Sequence, residues 1–365
     1  MIPRLGALSA LLLLTGWLAP GVAQDYSRPN VDIVAHAKRE KELVIYGVVD
    51  ADFTLSGVVT AFRKRYPFIH IISTSGGDGP PYQRFRREVS EGRPSADFIW
   101  NLAMDMQEKF INDGYSLPYA SPELRFIQPW AHWQDLGYGI GQVPVAFVYN
   151  SRFLSPNEMP KTHTALKDML RRNPGRFRGR VAVYDPETSD LGMLLLSQDV
   201  RATPDNWGLF DAFDAVNAHD YSGSREILRH ILSGEQWIGY DVVSSFAAEM
   251  QKTHPELVVV YPSDYALLIS RVAFISATAP HPDTAKLFLD YLLSREGQAI
   301  LQQHGLGTVR TDMMPIQVHR TDPLRTQAIR LGPGLLSNLD SLVRAQFLRR
   351  WSQSRNARTD SGLDN

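Results

Sequence analysis

The order of hydrophobic periods between residues 31 and 100 constrains the fold most. Val31 to Glu40 carries helical spacing and leads into a strand, Leu43-Val44-Ile45-Tyr46-Gly47-Val48. Leu55, Val58, Val59 and Phe62 mark a helix over 54–65, which Pro67 stops. A β-branched run, Ile69–Ile72, enters a Ser/Gly loop, Ser73–Gly79. A helix from Tyr82 to about Gly92 and a strand, Ala96–Trp100, follow. Strand, helix, strand, helix, strand at this spacing predicts a mostly parallel sheet with helices on its faces.

A second series begins with the strand Arg180–Tyr184, the loop Asp185–Asp190 and a helix from Leu191. It continues through a helix, Arg225–Leu232, a strand, Gln236–Tyr240, a helix, Ser244–Lys252, and a strand, Leu257–Tyr261. Between the series stands Gly137-Tyr138-Gly139-Ile140-Gly141, which reads as a hinge or turn, then an extended stretch, Val143–Tyr149. A second extended run, Leu267–Ser276, precedes a helix at Pro282–Leu293. Asp322–Ser352 reads as helical in patches, broken by Gly332-Pro333-Gly334. Two α/β lobes joined by two extended crossings is the arrangement these periods imply, and 365 residues suffice for two domains.

Composition removes several functions. The 38 basic side chains balance 39 acidic ones, without a basic stripe, so nucleic acid is not an expected partner. The chain has no cysteine, which excludes thiol catalysis and Cys-ligated zinc or iron–sulfur centres. Arg4, the Leu/Ala-rich run Leu5–Leu18, Pro20 and the small residues Gly21-Val22-Ala23 read as a signal peptide over 1–23, cleaved near Ala23. The apolar run is shorter than the roughly 20 residues that span a bilayer, and no Cys follows it to take a lipid. Cleavage removes only Arg4 among the charged residues, leaving 37 basic and 39 acidic, a net −2.

In open α/β sheets, ligands bind beyond the carboxyl ends of the strands. Those positions are Asp50 after the first strand, then Ser73, Ser75, Gly76 and Gly77 after the second, and Asn101 after the third. In the second series they are Ser189, Gly192, Ser222, Gly223, Tyr240 and Asp241. Three of these loops are rich in Ser, Thr and Gly, and each opens a helix, whose unpaired N–H groups and positive dipole end favour an anion. Ordinary N-capping explains any one such loop, and Asp78 reads as a cap. Three at strand ends in two lobes point to a shared site. No G-x-S-x-G, H-E-x-x-H or G-x-x-x-x-G-K-[ST] motif is present, so no catalytic residue, metal or cofactor is expected.

Six segments carry a family resemblance: ELVIYGVVDADFTLSGVVTAFRKRYP, SADFIWN, VAFVYNSRFL, GRVAVYDPETSDLGMLLL, YSGSREILRHILSGEQWIGYD and APHPDTAKLFLDYLLSREGQAILQQHGLGTVR. With these the chain resembles the substrate-binding proteins of bacterial ABC importers, in the cluster of ferric-ion, thiamine, phosphonate and phosphoglycerate binders. The resemblance implies an α/β, two-lobed periplasmic-binding-protein fold of type II, with a ligand cleft between lobes and a two-strand hinge. It places the crossings near Gly141–Tyr149 and Leu268–Ser276. Lobe 1 would comprise 24–142 and 272–352, lobe 2 143–271, and 353–365 a polar tail. It further implies a periplasmic protein, acting as a monomer without catalysis, that holds a small solute for an inner-membrane permease.

The solute does not follow from the resemblance. Ferric binders carry adjacent tyrosines, whereas Tyr240 stands alone before Asp241; Asp50, Tyr240 and Asp241 form the alternative, iron-holding reading. The loops suit a phosphorylated or carboxylated anion better. Arg271, at the start of the second crossing, could pair with it, and Tyr265 could line the cleft. The tail GPGLLSNLDSLVRAQFLRRW extends past the usual end, as in binders that engage a sensor-kinase ectodomain; otherwise it forms a helix packed on the first lobe.

Overall fold

The computed structural model describes residues 30–47, 53–74, 80–314 and 324–356. The expected signal peptide, Asp50, Ser75, Gly76, Gly77, Asp78 and most of the polar tail lie outside the described residues. Helix α1 (Val31–Glu40) precedes β1 (Glu42–Gly47), and α2 (Phe53–Arg65), β2 (His70–Thr74), α3 (Pro80–Ser90) and β3 (Phe98–Asn101) continue the alternation. Then come α4 (Met104–Asn112), the short β4 (His132–Trp133) and the long β5 (Gly137–Asn150). The second series holds α5 (His163–Arg172), α6 (Pro174–Phe177), β6 (Val181–Tyr184), α7 (Asp190–Ala202), α8 (Asn206–Ala215), β7 (His219–Tyr221), α9 (Ser224–Ser233), β8 (Ile238–Val243), α10 (Ser244–Gln251) and β9 (Leu257–Val260). The chain returns through β10 (Ala266–Ile275) to α11 (Pro282–Leu293) and α12 (Arg295–Gln303). It ends in β11 (Thr326–Ala328), a 3₁₀ turn (Pro333–Asn338) and α13 (Ser341–Asn356).

The strand order is β2-β1-β3-β10-β5-β8-β6-β7, with β11 on β10 and both β4 and β9 on β5. Parallel β2, β1 and β3 are met by antiparallel β10 and β5, forming the first lobe's sheet. The second lobe's sheet pairs β5 with β8 and β9, and runs β8, β6 and β7 in parallel. One strand serves both: β5 pairs with β10 from Tyr138 to Pro144 and with β8 and β9 from Val145 to Asn150.

The Gly137–Gly141 run is not a turn, contrary to the sequence reading. It is strand, and its last glycine supplies a bulge. Ser270 faces Gln142 and Arg271 faces Ile140, so Gly141 is the extra residue. Its φ of +76° suits glycine, and a Cβ there would lie 3.3 Å from the Gly307 carbonyl oxygen. A bulge bends and twists its strand, which suits the point where β5 leaves one sheet for the other.

The C-terminal region also departs from expectation. Only α13 and the 3₁₀ turn are helical in 324–356, and α13 packs on α8 of the second lobe rather than on the first. Phe347 meets Trp207 at 5.1 Å and Trp351 meets Phe210 at 5.4 Å, ring centre to ring centre. No described helix is long and apolar enough to cross a membrane.

Candidate anion site in the cleft

Arg271 lies in β10, beside the bulge, with only 2% of its surface exposed. A guanidinium stays charged when buried, so it needs partners there. Its central carbon sits 5.9 Å from the ring centre of Phe246, in the first turn of α10. Arg225, in the first turn of α9, lies 4.5 Å from the same ring centre. Thus two cations, one from the crossing strand and one from the second lobe, each approach one aromatic side chain. Arg225 is exposed and forms no ion pair among the described residues. Asn101 stands on β3 opposite Val272, the residue after Arg271, so register brings it to the same end of the sheet.

The helix starts around this cluster differ in how their N–H groups are served. Helices α4, α9 and α10 begin at Ala103, Gly223 and Val243 without a side-chain cap. The Ser245 hydroxyl, in the first turn of α10, is buried and has no hydrogen-bond partner among the described residues. Such a group usually finds a partner, so this one is suited to a ligand. By contrast, Ser189 caps α7: its Oγ accepts the Gly192 N–H at 3.0 Å. Gly192 is also a close approach, since a Cβ there would lie 2.7 Å from the Tyr184 Cβ.

The other expected site residues sort as follows. Ser73 is half-buried in β2. Asn101 turns its Oδ1 to the N–H groups of Leu102 and Ala103, at 2.5 and 3.4 Å, preparing the start of α4. Ser222 donates to Glu226 Oε2 at 2.8 Å, a local contact that sets a carboxylate beside its hydroxyl. Gly223 is the extended residue before α9.

Tyr240, Asp241 and Tyr265 belong to one buried polar cluster. Tyr240 is fully buried, and its hydroxyl donates to Asp199 Oδ2 at 2.5 Å. Tyr265 donates to Asp199 Oδ1 at 2.7 Å and stacks on His163, 4.1 Å between ring centres. Asp241 is 2% exposed, with φ of +55°. Burial and the neighbouring Asp199 carboxylate push the Asp241 carboxyl far above the usual carboxylate range, so Asp241 keeps its proton. Burial, with Asp199 next, likewise holds the Tyr240 phenol protonated. All three polar groups face the interior of the second lobe, where Phe147 and Phe213 pack against Tyr240.

His163, Asp199 and Asp241 offer ligand atoms within 4.8 Å of one another, which could suit a cation. His163 Nδ1 already meets Asp264 at 3.0 Å, and two phenols donate to Asp199. Asp241 Oδ2 is buried without a hydrogen-bond partner among the described residues. The iron reading takes Tyr240 and Asp241 as ligands; here both are buried, and Tyr240 is engaged by Asp199.

Sequence reasoning missed Ser245 for an identifiable reason, and Arg225 because its approach to Phe246 is tertiary. The sequence reading ends the strand Gln236–Tyr240 at Tyr240, but β8 runs to Val243. The same strand-end rule applied at Val243 selects Ser244, Ser245 and Phe246.

The comparisons with known proteins bear on this geometry. Residues 128–307 match the family described as bacterial extracellular solute-binding protein. The substrate-binding protein of an ABC transporter from Agrobacterium tumefaciens is 28% identical, with a TM-score of 0.78 over 87% of this chain and 94% of that one. By this match and this structure, the chain is similar to the bacterial extracellular solute-binding proteins. An uncharacterized protein of Haemophilus influenzae is 26% identical over 81% of this chain and 83% of its own. Two further solute-binding structures share the fold at lower identity. Iron-bound HitA from Pseudomonas aeruginosa is 18% identical, with a TM-score of 0.67 over 86% of this chain and 99% of that one. The periplasmic binding protein AfuA from Actinobacillus pleuropneumoniae, with fructose-6-phosphate bound, is 20% identical, with a TM-score of 0.65 over 86% and 98%.

Proposed function

We propose that this solute-binding protein captures a small organic anion, phosphorylated or carboxylated, between its lobes and presents it to an ABC permease. The observation that carries the reading is the buried Arg271 guanidinium on the crossing strand, facing Phe246 and the uncapped start of α10. A buried guanidinium pairs bidentately with carboxylate or phosphate, and a helix N-terminus adds N–H donors and a favourable dipole. Arg225 supplies a second cation that an anion could share. The fructose-6-phosphate of AfuA is a ligand of this chemical class on a similar fold. Iron, bound in HitA, is a poorer match, because Tyr240 is alone where ferric binders pair tyrosines, and its hydroxyl is engaged by Asp199 in a buried cluster. Binding proceeds without turnover, in keeping with the family, and hinge bending at β5 and β10 supplies closure. A sensor-kinase partner was suggested by the tail; its aromatic face is occupied by α8 of the same chain, so permease delivery is the reading kept.

The test is a thermal-shift screen of protein unfolded and refolded to strip ligand, against sugar phosphates, phosphonates, di- and tricarboxylates and ferric citrate. At 100 times Kd, a bound solute adds about 2.7 kcal/mol of stability, a shift of several degrees. One class of organic anion should shift the melt. A shift with ferric ion alone would overturn the reading.

A further inference from the structure

Two crossing strands are what a hinged pair of lobes needs, but this chain crosses a third time. Residues 329–331 are fixed to the first lobe: the Leu331 N–H donates to the Trp130 carbonyl at 2.8 Å, and Arg330 Nη1 to the Pro129 carbonyl at 3.1 Å. Gly332 then turns the chain at φ +141° against the Trp133 ring. The 3₁₀ turn that follows packs on α4 of the first lobe and on α7 of the second. Its Asn338 Oδ1 accepts from Ser197 Oγ at 3.3 Å, and its Ser337 pairs with Arg201, both on α7. Asp340 Oδ1 accepts the N–H groups of Leu342 and Val343, at 2.9 and 3.0 Å, and so starts α13.

From there ring contacts and side-chain hydrogen bonds reach the second lobe. Phe347 and Trp351 sit on Trp207 and Phe210. Arg350 Nη2 reaches both oxygens of Asp211, at 3.0 and 3.1 Å. Arg344 donates to the carbonyls of Pro186 and Glu187, 3.2 Å each, in the loop that opens α7, and lies 3.7 Å from Asp190.

We infer that residues 332–353 are a strap that fastens the second lobe to the first and sets how far the cleft can open. Any rotation that separates α4 from α8 must pull α13 off its aromatic seat or turn the strap about Gly332. The strap is therefore a bistable element of the kind that couples a remote contact to a site, with couplings typically about 5- to 150-fold. Its consequence is that contacts far from the ligand, on α8, control the open population of the cleft.

The chain's lack of cysteine makes the test clean. Spin labels at Lys64→Cys on α2 and Thr253→Cys after α10, both exposed, report the distance between lobes. Phe347→Ala with Trp351→Ala should broaden a narrow distance distribution toward longer values and speed amide exchange in 341–353 at least about 10-fold. Where that variant does not fold, Arg344→Ala with Arg350→Ala gives the same two readings. Faster exchange with an unchanged distance distribution would overturn the strap, since α13 would then be a passenger. Unchanged exchange in both variants would overturn it too, because the named anchors would then hold nothing.

Discussion

Two helices of the second lobe, α7 and α10, both begin with serine just past a strand, and they use it in opposite ways. Ser189 closes the start of α7 on itself, its hydroxyl taking the Gly192 N–H. Ser245 leaves the start of α10 open, its buried hydroxyl unmatched among the described residues. Beside the open start stand Phe246, Arg271 and Arg225; beside the closed one stand Arg344 and Asp190. A serine-rich helix start thus marks a binding site only where the cap is left unmade and a compensating charge is nearby. The same contrast separates the lobe's buried ions. In the buried Asp199–Asp241 pair both phenols serve Asp199, whereas Arg271 lies on the strand where the lobes meet.

The largest effect should come from Arg271. Arg271→Met should weaken binding of the stabilising anion about 100-fold or more by calorimetry, the loss typical of removing one partner of a buried charge pair. Retained affinity would break the contrast at its centre. Next in size is the interior pair: Tyr240→Phe should cost about 1–3 kcal/mol in denaturant unfolding, because it strips a hydrogen bond from a buried carboxylate, yet leave affinity unchanged. A changed affinity with unchanged stability would return Tyr240 to the cleft.

The two serines give the sharpest paired comparison. Ser189→Ala should lose about 1 kcal/mol of stability, the worth of a cap, and keep its affinity. Ser245→Ala should keep its stability and lose about 10-fold or somewhat more in affinity, in line with one hydrogen bond to a charged group. Exchange of these two results would reverse the assignment of the helix starts.

The smallest effect is a pH dependence of the strap. Asp105 and Glu108 on α4 face it, and burial raises each to about 7; Asp190 adds to the shift of Asp105 and Arg344 opposes it, while the Gly332 amide opposes that of Glu108. Below their usual range both acids are protonated whether or not the strap is docked. As pH rises through that range toward 7, the docked state still holds protons that the released state has lost, so docking weakens; above 7 the loss is complete. Exchange of α13 amides, corrected for the intrinsic rate, should therefore be faster at pH 8 than at pH 5. The reverse order would remove these acids from the docking contact.

Much of the frame was legible from periodicity. Helices 31–40 and 282–293 fall where the apolar spacing put them, because each buries one face against the other. Helix α8 carries no such signal: NWGLFDAFDA is covered by α5 on one side and α13 on another, so its apolar residues leave no polar stripe to set a period. The site failed at a boundary. Strand β8 runs three residues past Tyr240, to Val243, and strand ends are where pattern reading is weakest. Arg271 was legible, as a charge inside an apolar crossing. Phe246 and Arg225 were not, because their relation to it is tertiary. The docking of α13 on the second lobe was hidden for the same reason: its aromatic anchors, Phe347 and Trp351, have no period that names their partner.

The most direct measurement is a crystal structure of the stripped protein reloaded with the anion that stabilises it most. The account predicts the anionic group within hydrogen-bonding distance of the Arg271 guanidinium and Ser245 Oγ, at the uncapped start of α10. An anion seated instead on Ser189 and Gly192 at the start of α7, with Arg271 turned away, would contradict it.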